Sequence, residues 1–395
     1  QRLQHLCIFT FHSGCLSGSA LSKETHTINA LAALNNLNAS AKRLESYFEK
    51  ELGETEVVES PLENKQITTR SWEDFLGTLR FEDVVYLSYY FVEQLEKLGG
   101  DERMDKLRQY VLRLMAGLGG AAFHGTILLG WVLQDSPTDN LLIGEGLAYM
   151  TAFYEPIISL EDNSSRVSGT RAFKDILVSI QKERRFVGAF GNWHKAYPVF
   201  QQRYGQLKEN YADVLQEYLF QWKISSVQEM IEELVVCAAS AFLLSGANDF
   251  FLLHGITSCL AAIEITKLFP RTEEYNEETI IFLQYYGLFL MVAYICEGSP
   301  DLLVPAPKQE ILPWATIVDQ VTGIDSEYND AHLIKLVWAC KHFTEEFPSH
   351  SELFHQTASA ALHNQLFTPW CFKIGAGFDH VATFEEIYGP QTARL

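Results

Sequence analysis

Apolar side chains recur along this chain with the period of an α-helix. Residues 81–98 carry a stripe at a spacing of three and four residues, and the stripe stops at a glycine pair, Gly99 and Gly100. Residues 101–118 repeat the pattern and stop at a second glycine pair. Segments with strict alternation and β-branched enrichment, the mark of strands, are nearly absent. The sequence therefore predicts an all-α fold.

Domain organisation follows from the absence of long linkers. Further helices are predicted at 25–50, 123–134, 139–154, 168–183, 207–220, 227–245, 249–268, 277–297, 327–346 and 350–364. The proline-containing stretch 298–313 is the best candidate for a boundary, but the helices on either side are equally apolar. We therefore expect one large multi-helix domain over residues 21–395, with residues 1–20 as a tail of unknown role.

Composition excludes one class of partner and favours another. The 395 residues contain 30 Lys and Arg against 50 Asp and Glu, a formal net charge of -20, and no basic run is interleaved with aromatics. Such a surface repels phosphate backbones, so nucleic acid is not expected as a partner. The aromatic share of 13% suits a ring-lined interior and a small apolar aromatic ligand.

Neither disulfides nor a membrane span are predicted. The seven cysteines show no CxxC spacing and mostly stand in apolar runs, which indicates a reducing, cytoplasmic compartment. The uncharged run 280–296 is at the lower length limit for a membrane span, and acidic residues bracket it. A buried central helix is the better interpretation.

A histidine and a lysine three residues apart, His332 and Lys335, are the most informative candidates for chemistry. Positions i and i+3 of a helix lie on one face, which here continues through the apolar Leu336. A buried lysine is costly unless it is paired, neutralised or used. The alternative is a surface patch in which Glu327 and Asp330 partly satisfy the lysine.

Other histidines also stand on apolar helical faces. His254 is expected to be deeply buried, although a core histidine with ordinary hydrogen bonds would look the same. His124 is expected at the start of an apolar helix, or else as a polar residue near the surface. His26 opens an apolar segment and could simply cap it, and His342 is a reserve candidate near the face of Lys335.

Local spacing does not specify the chemistry of these residues. The chain has no HExxH, GxGxxG, GxSxG or P-loop motif, and no 2-His-1-carboxylate triad can be read from neighbouring positions. Residue patterns alone thus leave a scattered set of inward histidines and one inward lysine.

Four segments in order resemble the signatures of the questin oxidase-like family, over about residues 20–365. They read THTINALAALNNLNAS, FHGTILLGWVLQD with GEGLA, FFLLHGITSCL and AHLIKLVW. The resemblance implies an all-helical oxygenase that cleaves an aromatic, polyketide-like (anthraquinone-type) ring, with O2 as co-substrate. It also implies a buried non-haem iron site between helices.

The resemblance further implies which residues hold the iron. Carried over position by position, the predicted Fe(II) ligands are His26, His124, His254, His332 and Lys335. Lys335 is expected to be carboxylated, because a carbamate turns a cation into an anionic oxygen ligand, and imidazoles with one such oxygen suit Fe(II). Burial favours the neutral amine that carboxylation requires.

The chain departs from the family pattern at a few positions. Asn29 stands where the opening signature usually has a second histidine, and Gly125 and Leu128 replace residues of HPxIH in the next signature. These changes leave one histidine per signature but are expected to alter the pocket lining and the substrate.

Two other functions compete with the iron-dependent oxygenase. One is an NADPH-linked Baeyer–Villiger-type oxidase without tightly bound metal, although the missing dinucleotide fingerprint argues against tight NADPH binding. The other is a catalytically silent helical protein that binds an apolar ligand.

Overall fold

The structure is a computed structural model, which describes residues 18–53, 71–160, 169–186, 200–245, 249–269, 276–306 and 309–363. Over these residues it is helical and has no β-strand; one isolated bridge joins Arg171 and Trp222. The all-α prediction is confirmed. The predictions for Cys7, Cys15, Cys371 and most of the 1–20 tail fall outside the described residues.

The helices are numbered here in chain order. They are α1 Gly18–Asn36, α2 Ala41–Gly53, α3 Phe81–Glu96, α4 Gly100–Leu114, α5 His124–Asp135, α6 Asn140–Ala152, α7 Phe173–Gln181, α8 Phe200–Asn210, α9 Ala212–Leu219, α10 Val227–Leu244, α11 Phe250–Thr266, α12 Glu277–Cys296, α13 Trp314–Thr322, α14 Ala331–Glu346 and α15 Ser351–His363.

Predicted and observed helices differ mainly at turns inside apolar stretches. The helix predicted at 25–50 is two helices, because Asn38 adopts a left-handed conformation with φ 62° that ends α1. Similarly, 207–220 is divided between α8 and α9 at Tyr211. Helix α13 was not predicted, although Pro313 stands at its N-cap.

The chain forms two compact units, each assembled from three separate stretches. The first contains the described residues up to Pro156 together with Leu260–Phe269 and Pro313–Ala339. The second contains the described residues of Ile157–Cys259 and Pro270–Leu312, and those from Cys340 onward. No single point in the sequence separates the units, which agrees with the prediction of one all-α domain.

In the first unit, α6 packs against both α3 and α5. The close approach of α5 and α6 depends on glycine. A Cβ atom at Gly125 would lie 2.7 Å from the backbone nitrogen of Met150, and one at Gly146 would lie 3.0 Å from Leu129. Helix α1 packs against α5 and α2. This arrangement brings the predicted histidine segments of α1 and α5 together.

In the second unit, α12 packs against α7, α8, α9 and α10. It is long and apolar enough to cross a membrane, and 94% of its apolar window is buried inside the protein. Burial explains its composition, since a helix that is apolar all round needs an apolar environment on every side. It is therefore a core helix, as the sequence predicts.

Candidate metal centre

Helix α14 carries the His332–Lys335 pair into the interior of the first unit. The Lys335 side chain is 1% exposed and Leu336 is fully buried, while the His332 side chain keeps 14% exposure. The alternative of a surface patch is therefore wrong for Lys335. Asp330, expected to satisfy the lysine, instead hydrogen-bonds His332.

Three histidines from three helices converge beside Lys335. One ring nitrogen from each of His26, His124 and His332 lies within 4.8 Å of the others. The His26 ring centroid is 4.8 Å from that of His124 and 4.4 Å from that of His332. Residues separated by more than 200 positions in the chain thus form one cluster, which we call the histidine cluster.

His26 occupies the middle of the cluster. Its Nε2 is 3.0 Å from Nε2 of His124, and its Nδ1 is 2.8 Å from Nζ of Lys335. Helix α1 begins at Gly18, so His26 lies well inside it and does not cap it, contrary to one of the alternatives above. The interior position lets the ring reach both α5 and α14.

His124 is placed by an unusual turn. The three preceding residues, Ala121, Ala122 and Phe123, all have left-handed backbones with φ of 46°, 54° and 66°. Each such residue other than glycine costs about 1–2 kcal/mol. The turn directs the carbonyl of Ala121 at Nδ1 of His124, at 2.5 Å, so Nδ1 carries the ring proton and Nε2 of His124 has a lone pair facing the cluster.

His332 is oriented by Asp330 in the same sense. The carboxylate of Asp330 accepts from Nδ1 of His332 at 3.1 Å and from the backbone N–H of His332 at 2.7 Å. The ring therefore holds its proton on Nδ1 and its lone pair on Nε2. A carboxylate behind a histidine is the usual means of fixing the ring of a metal ligand.

Burial favours the uncharged forms of His124, His332 and Lys335. It lowers the pKa of His124 to about 3, and the positive charges of Lys335 and His332 act in the same direction. It also lowers the pKa of His332, against the opposing effect of Asp330. Burial lowers the pKa of Lys335 to about 7. The imidazoles are thus in the form that binds metal.

The donor set fits a transition metal. Nitrogens bound at about 2.1 Å to one ion lie roughly 3–4 Å from each other, close to the spacings observed here. Three neutral imidazoles carry no negative charge, and the fourth group, Lys335, is an amine. The cluster therefore lacks an anionic oxygen of its own, which a carbamate on Lys335 would provide.

Other predicted residues have different environments. His254 is fully buried on α11, in the second unit, and its Nδ1 donates to the carbonyl of Phe250 at 2.6 Å. The predicted deep burial is thus confirmed, but His254 is not one of the three converging histidines. His342, the reserve candidate, pairs instead with Glu346 at 3.0 Å.

The departures from the family pattern fall into two kinds. Gly125 and Leu128 serve packing, since Gly125 lies against Met150 and Leu128 is fully buried. Asn29 is 1% exposed, one turn after His26, and neither amide atom has a hydrogen-bond partner within the part of the chain described. Asn29 is the departure with a chemical consequence, because an unsatisfied buried amide is costly.

Sequence analysis missed the groups that orient the histidines. The Ala121 carbonyl could not be identified, because a left-handed turn at Ala-Ala-Phe has no sequence signature. Asp330 carried a signal, since an Asp just before a helix is a common N-cap. Its hydrogen bond to His332 depends on the two-residue spacing that such a cap creates.

The model of the questin oxidase-like family matches residues 24–340, which is most of the chain. A comparison with proteins of curated function found no match. The matched region includes all the histidines of the cluster and Lys335. The chain belongs to the questin oxidase-like family.

Proposed function

We propose that this protein is a non-haem iron-dependent oxygenase that cleaves a ring of an aromatic, polyketide-like substrate of the anthraquinone type. Family membership supports an oxidoreductase acting on a polyketide-type compound. The observation that carries the finer proposal is the convergence of three histidine nitrogens within 4.8 Å, beside a buried lysine.

The proposed ligands are His26, His124, His332 and a carboxylated Lys335. His124 and His332 support this role because their Nδ1 protons are held by Ala121 and Asp330, which makes Nε2 the ligand atom of each ring. His254 stays a predicted ligand on the basis of the family resemblance alone.

Lys335 would be modified because its surroundings favour the free amine. With a pKa of about 7, a large fraction of the amine is unprotonated at neutral pH. The amine nitrogen adds to the carbon of CO2 and loses one proton, which gives a carbamate anion. The buried cation thereby becomes an oxygen ligand of opposite charge, and the three neutral histidines gain the anion that they lack.

When bound, iron would bind and activate dioxygen and orient the substrate. The protein residues would then hold the metal and restrict water. The three rings are only part-buried, so the cluster keeps limited access for small molecules. Nearby, the ring of Tyr149 stacks on His124 with centroids 6.2 Å apart, and Phe153 stacks on Tyr149 at 4.8 Å. These rings offer flat apolar contacts to an aromatic compound.

Metal analysis and oxygen consumption test the proposal. We expect near-stoichiometric iron in protein purified without strong chelators, and O2 uptake with a hydroxylated anthraquinone after Fe(II) is added. His124→Ala and Lys335→Met should each lose most of the bound iron. High-resolution mass spectrometry under CO2 should show a 44 Da adduct on Lys335 that Lys335→Met lacks.

Matched controls lie on the same helix as Lys335. Lys341 pairs with Glu345 and His342 pairs with Glu346, so both are ordinary ion-pair residues of α14. Lys341→Met and His342→Ala should therefore keep wild-type iron content. Wild-type protein that stays free of iron and consumes no O2 after Fe(II) addition would contradict the proposal.

A further inference from the structure

Arg43 is a buried cation whose side-chain hydrogen-bond partners, among the residues that the structure describes, are neutral groups. It lies on α2 in the first unit and is 2% exposed. Its Nε donates to the carbonyl of Val321 at 3.3 Å, its Nη1 to Oδ1 of Asn329 at 2.7 Å, and its Nη2 to the carbonyl of Tyr328 at 3.2 Å. The guanidinium also lies 5.6 Å from the ring centroid of Tyr47.

These three acceptors all belong to the segment that leads into α14. Burying an arginine away from water is costly, and so is leaving buried carbonyl and amide groups without hydrogen bonds. The hydrogen bonds between Arg43 and these groups reduce both costs. Here Arg43 satisfies the Val321 carbonyl at the C-terminal end of α13 and, in the loop 323–330 before α14, the Tyr328 carbonyl and the Asn329 side-chain amide. The planar fork of arginine reaches all three at once, which a lysine could not do.

The loop is further tied to itself around the same residues. Nδ2 of Asn329 donates to the carbonyl of Ser326 at 2.9 Å, and Oγ of Ser326 donates to the carbonyl of Gln320 at 2.5 Å. The backbone N–H of Tyr328 donates to Oγ of Ser326 at 3.0 Å. Arg43 thus holds an ordered loop whose position, relative to α2, is set by the guanidinium.

The loop ends at the residue that orients His332. Asp330 follows Asn329 directly, and its carboxylate accepts from the backbone N–H groups of His332 and Leu333 as well as from Nδ1 of His332. A shift of the loop would move the Asp330 carboxylate and release the ring. Asn329 and Asp330, which are adjacent in the chain, therefore connect Arg43 to His332 through hydrogen bonds.

We propose that Arg43 is a positioning residue of the histidine cluster, which fixes the tautomer and orientation of His332 through Asn329 and Asp330. The expected effect on metal affinity rests on the proposed function, whereas the expected effect on the His332 ring does not. Removal of a group that orients a metal ligand typically lowers affinity by about 10–100-fold.

Arg103 is a matched control. Its Nε donates to Oδ1 of Asn140 at 2.7 Å and its Nη2 to the carbonyl of Pro137 at 2.9 Å. It therefore holds the loop between α5 and α6, in the same unit and with the same donor groups, and the whole length of α5 separates that loop from His124. Comparison of Arg43 with Arg103 separates positioning of the site from general stabilisation of a loop.

The experiment measures Co(II) affinity, by its visible absorption, in the wild type and in Arg43→Met, Arg43→Lys, Asn329→Ala, Asp330→Asn and Arg103→Met. We expect Arg43→Met and Asn329→Ala to weaken binding about 10–100-fold and Arg43→Lys to recover little. Arg103→Met should bind as the wild type. Arg43→Met combined with Asp330→Asn should be no weaker than Asp330→Asn alone, because both act through the same ring.

A second readout does not need metal. In metal-free protein, the 15N shifts of the His332 ring should report a single Nδ1–H tautomer in the wild type and Arg103→Met. A mixture of tautomers is expected in both Arg43→Met and Asn329→Ala. If Arg43→Met does not fold, Asn329→Ala provides the test.

Unchanged tautomer and unchanged Co(II) affinity in folded Arg43→Met or Asn329→Ala would overturn the proposal. Equal losses in the Arg43 and Arg103 variants would also overturn it, because the effect would then be general. If the wild type binds no Co(II), the proposed function fails, and the tautomer measurement still decides the role of Arg43.

Discussion

Each unit of this protein buries a polar cluster. One cluster pairs a cation with an anion, whereas the other consists of basic groups only. In the second unit, Arg203, Glu297 and Asp249 are each 1% exposed. Nη2 of Arg203 lies 2.8 Å from Oε1 of Glu297. Burial, followed by the charge of Glu297, raises the pKa of Asp249 and favours its neutral, protonated form. One cation and one anion therefore balance within this cluster.

The histidine cluster of the first unit has no comparable balance. Its central groups are three imidazoles and one amine, all of which are bases, and two of the lone pairs are directed inward by outer hydrogen bonds. Burial of polar groups alone therefore does not indicate a binding site. A cluster whose charges are paired within itself stabilises the fold, whereas a cluster of converging basic nitrogens has the donor groups that a metal cation needs.

The largest effect is expected from removal of the cation of the second unit's cluster. Arg203→Met leaves Glu297 as a buried anion without its partner, which should cost about 3–5 kcal/mol of unfolding free energy. Urea unfolding measures this loss. Arg185→Met, which breaks a surface contact with Glu217, should change stability little. Similar stabilities for both variants would show that the buried pair is not essential.

The proton on Asp249 gives the same cluster a pH dependence. Burial, followed by the charge of Glu297, raises the pKa of Asp249 well above its usual range, so the native state keeps a proton that the unfolded chain releases above about pH 4. Because the unfolded state then binds fewer protons, stability contributed by this group falls as pH rises, by about 1.4 kcal/mol per pH unit until the native pKa is reached.

Asp249→Asn should remove this dependence. The amide keeps an oxygen to accept from the N–H groups of Phe251 and Leu252, as Oδ1 now does at 3.0 and 2.9 Å, and its Nδ2 can donate to Glu297 at any pH. Unfolding measured from pH 5 to 9 should give a flatter profile and higher stability at pH 8 than in the wild type. A variant less stable than the wild type at pH 8 would contradict the protonated state of Asp249.

The same kind of substitution in the histidine cluster should have the opposite sign. Lys335→Met removes the cost of burying an amine but also the hydrogen bond from Nζ to Nδ1 of His26, a ring that is only part-buried. Because the first effect is the larger, metal-free protein in CO2-free buffer should gain about 1 kcal/mol. The control Lys341→Met should be near neutral, since that pair is partly exposed. Loss of stability in Lys335→Met would show that the lysine supports the fold and would make the two clusters alike.

The smallest effect concerns the strained turn before His124. Ala122 has φ 54° and ψ 46°, which glycine adopts at little cost. Ala122→Gly should therefore stabilise metal-free protein by up to about 1 kcal/mol, while leaving the Ala121–His124 hydrogen bond in place. Thermal unfolding checks this, and Ala148→Gly inside α6 should lose at least a similar amount. A destabilised Ala122→Gly would mean that the turn is not strained.

Much of the fold could be predicted because helical periodicity is a local property. The helices at 81–98, 227–245 and 277–297 were found within two residues of their ends, since glycine pairs, Ser226 and Asn276 mark them. The break at Asn38 was missed because an apolar stripe continues across it. Inward-facing helical positions suggested candidate residues for the site, and the family resemblance named them. Neither source gives the distances between their side chains.

Helix geometry alone puts His332 and Lys335 on one face that continues through apolar Leu336, because positions i and i+3 are neighbours on a helix, but it leaves open whether that face is buried. The order of the four signature segments already indicates the family. The burial of Lys335 and its meeting with His26 and His124 depend on tertiary packing, since α1, α5 and α14 bring together residues far apart in the chain. The tertiary structure likewise decided which nitrogen of each ring faces inward, because the Ala121 carbonyl and the Asp330 carboxylate act through geometry that no spacing encodes.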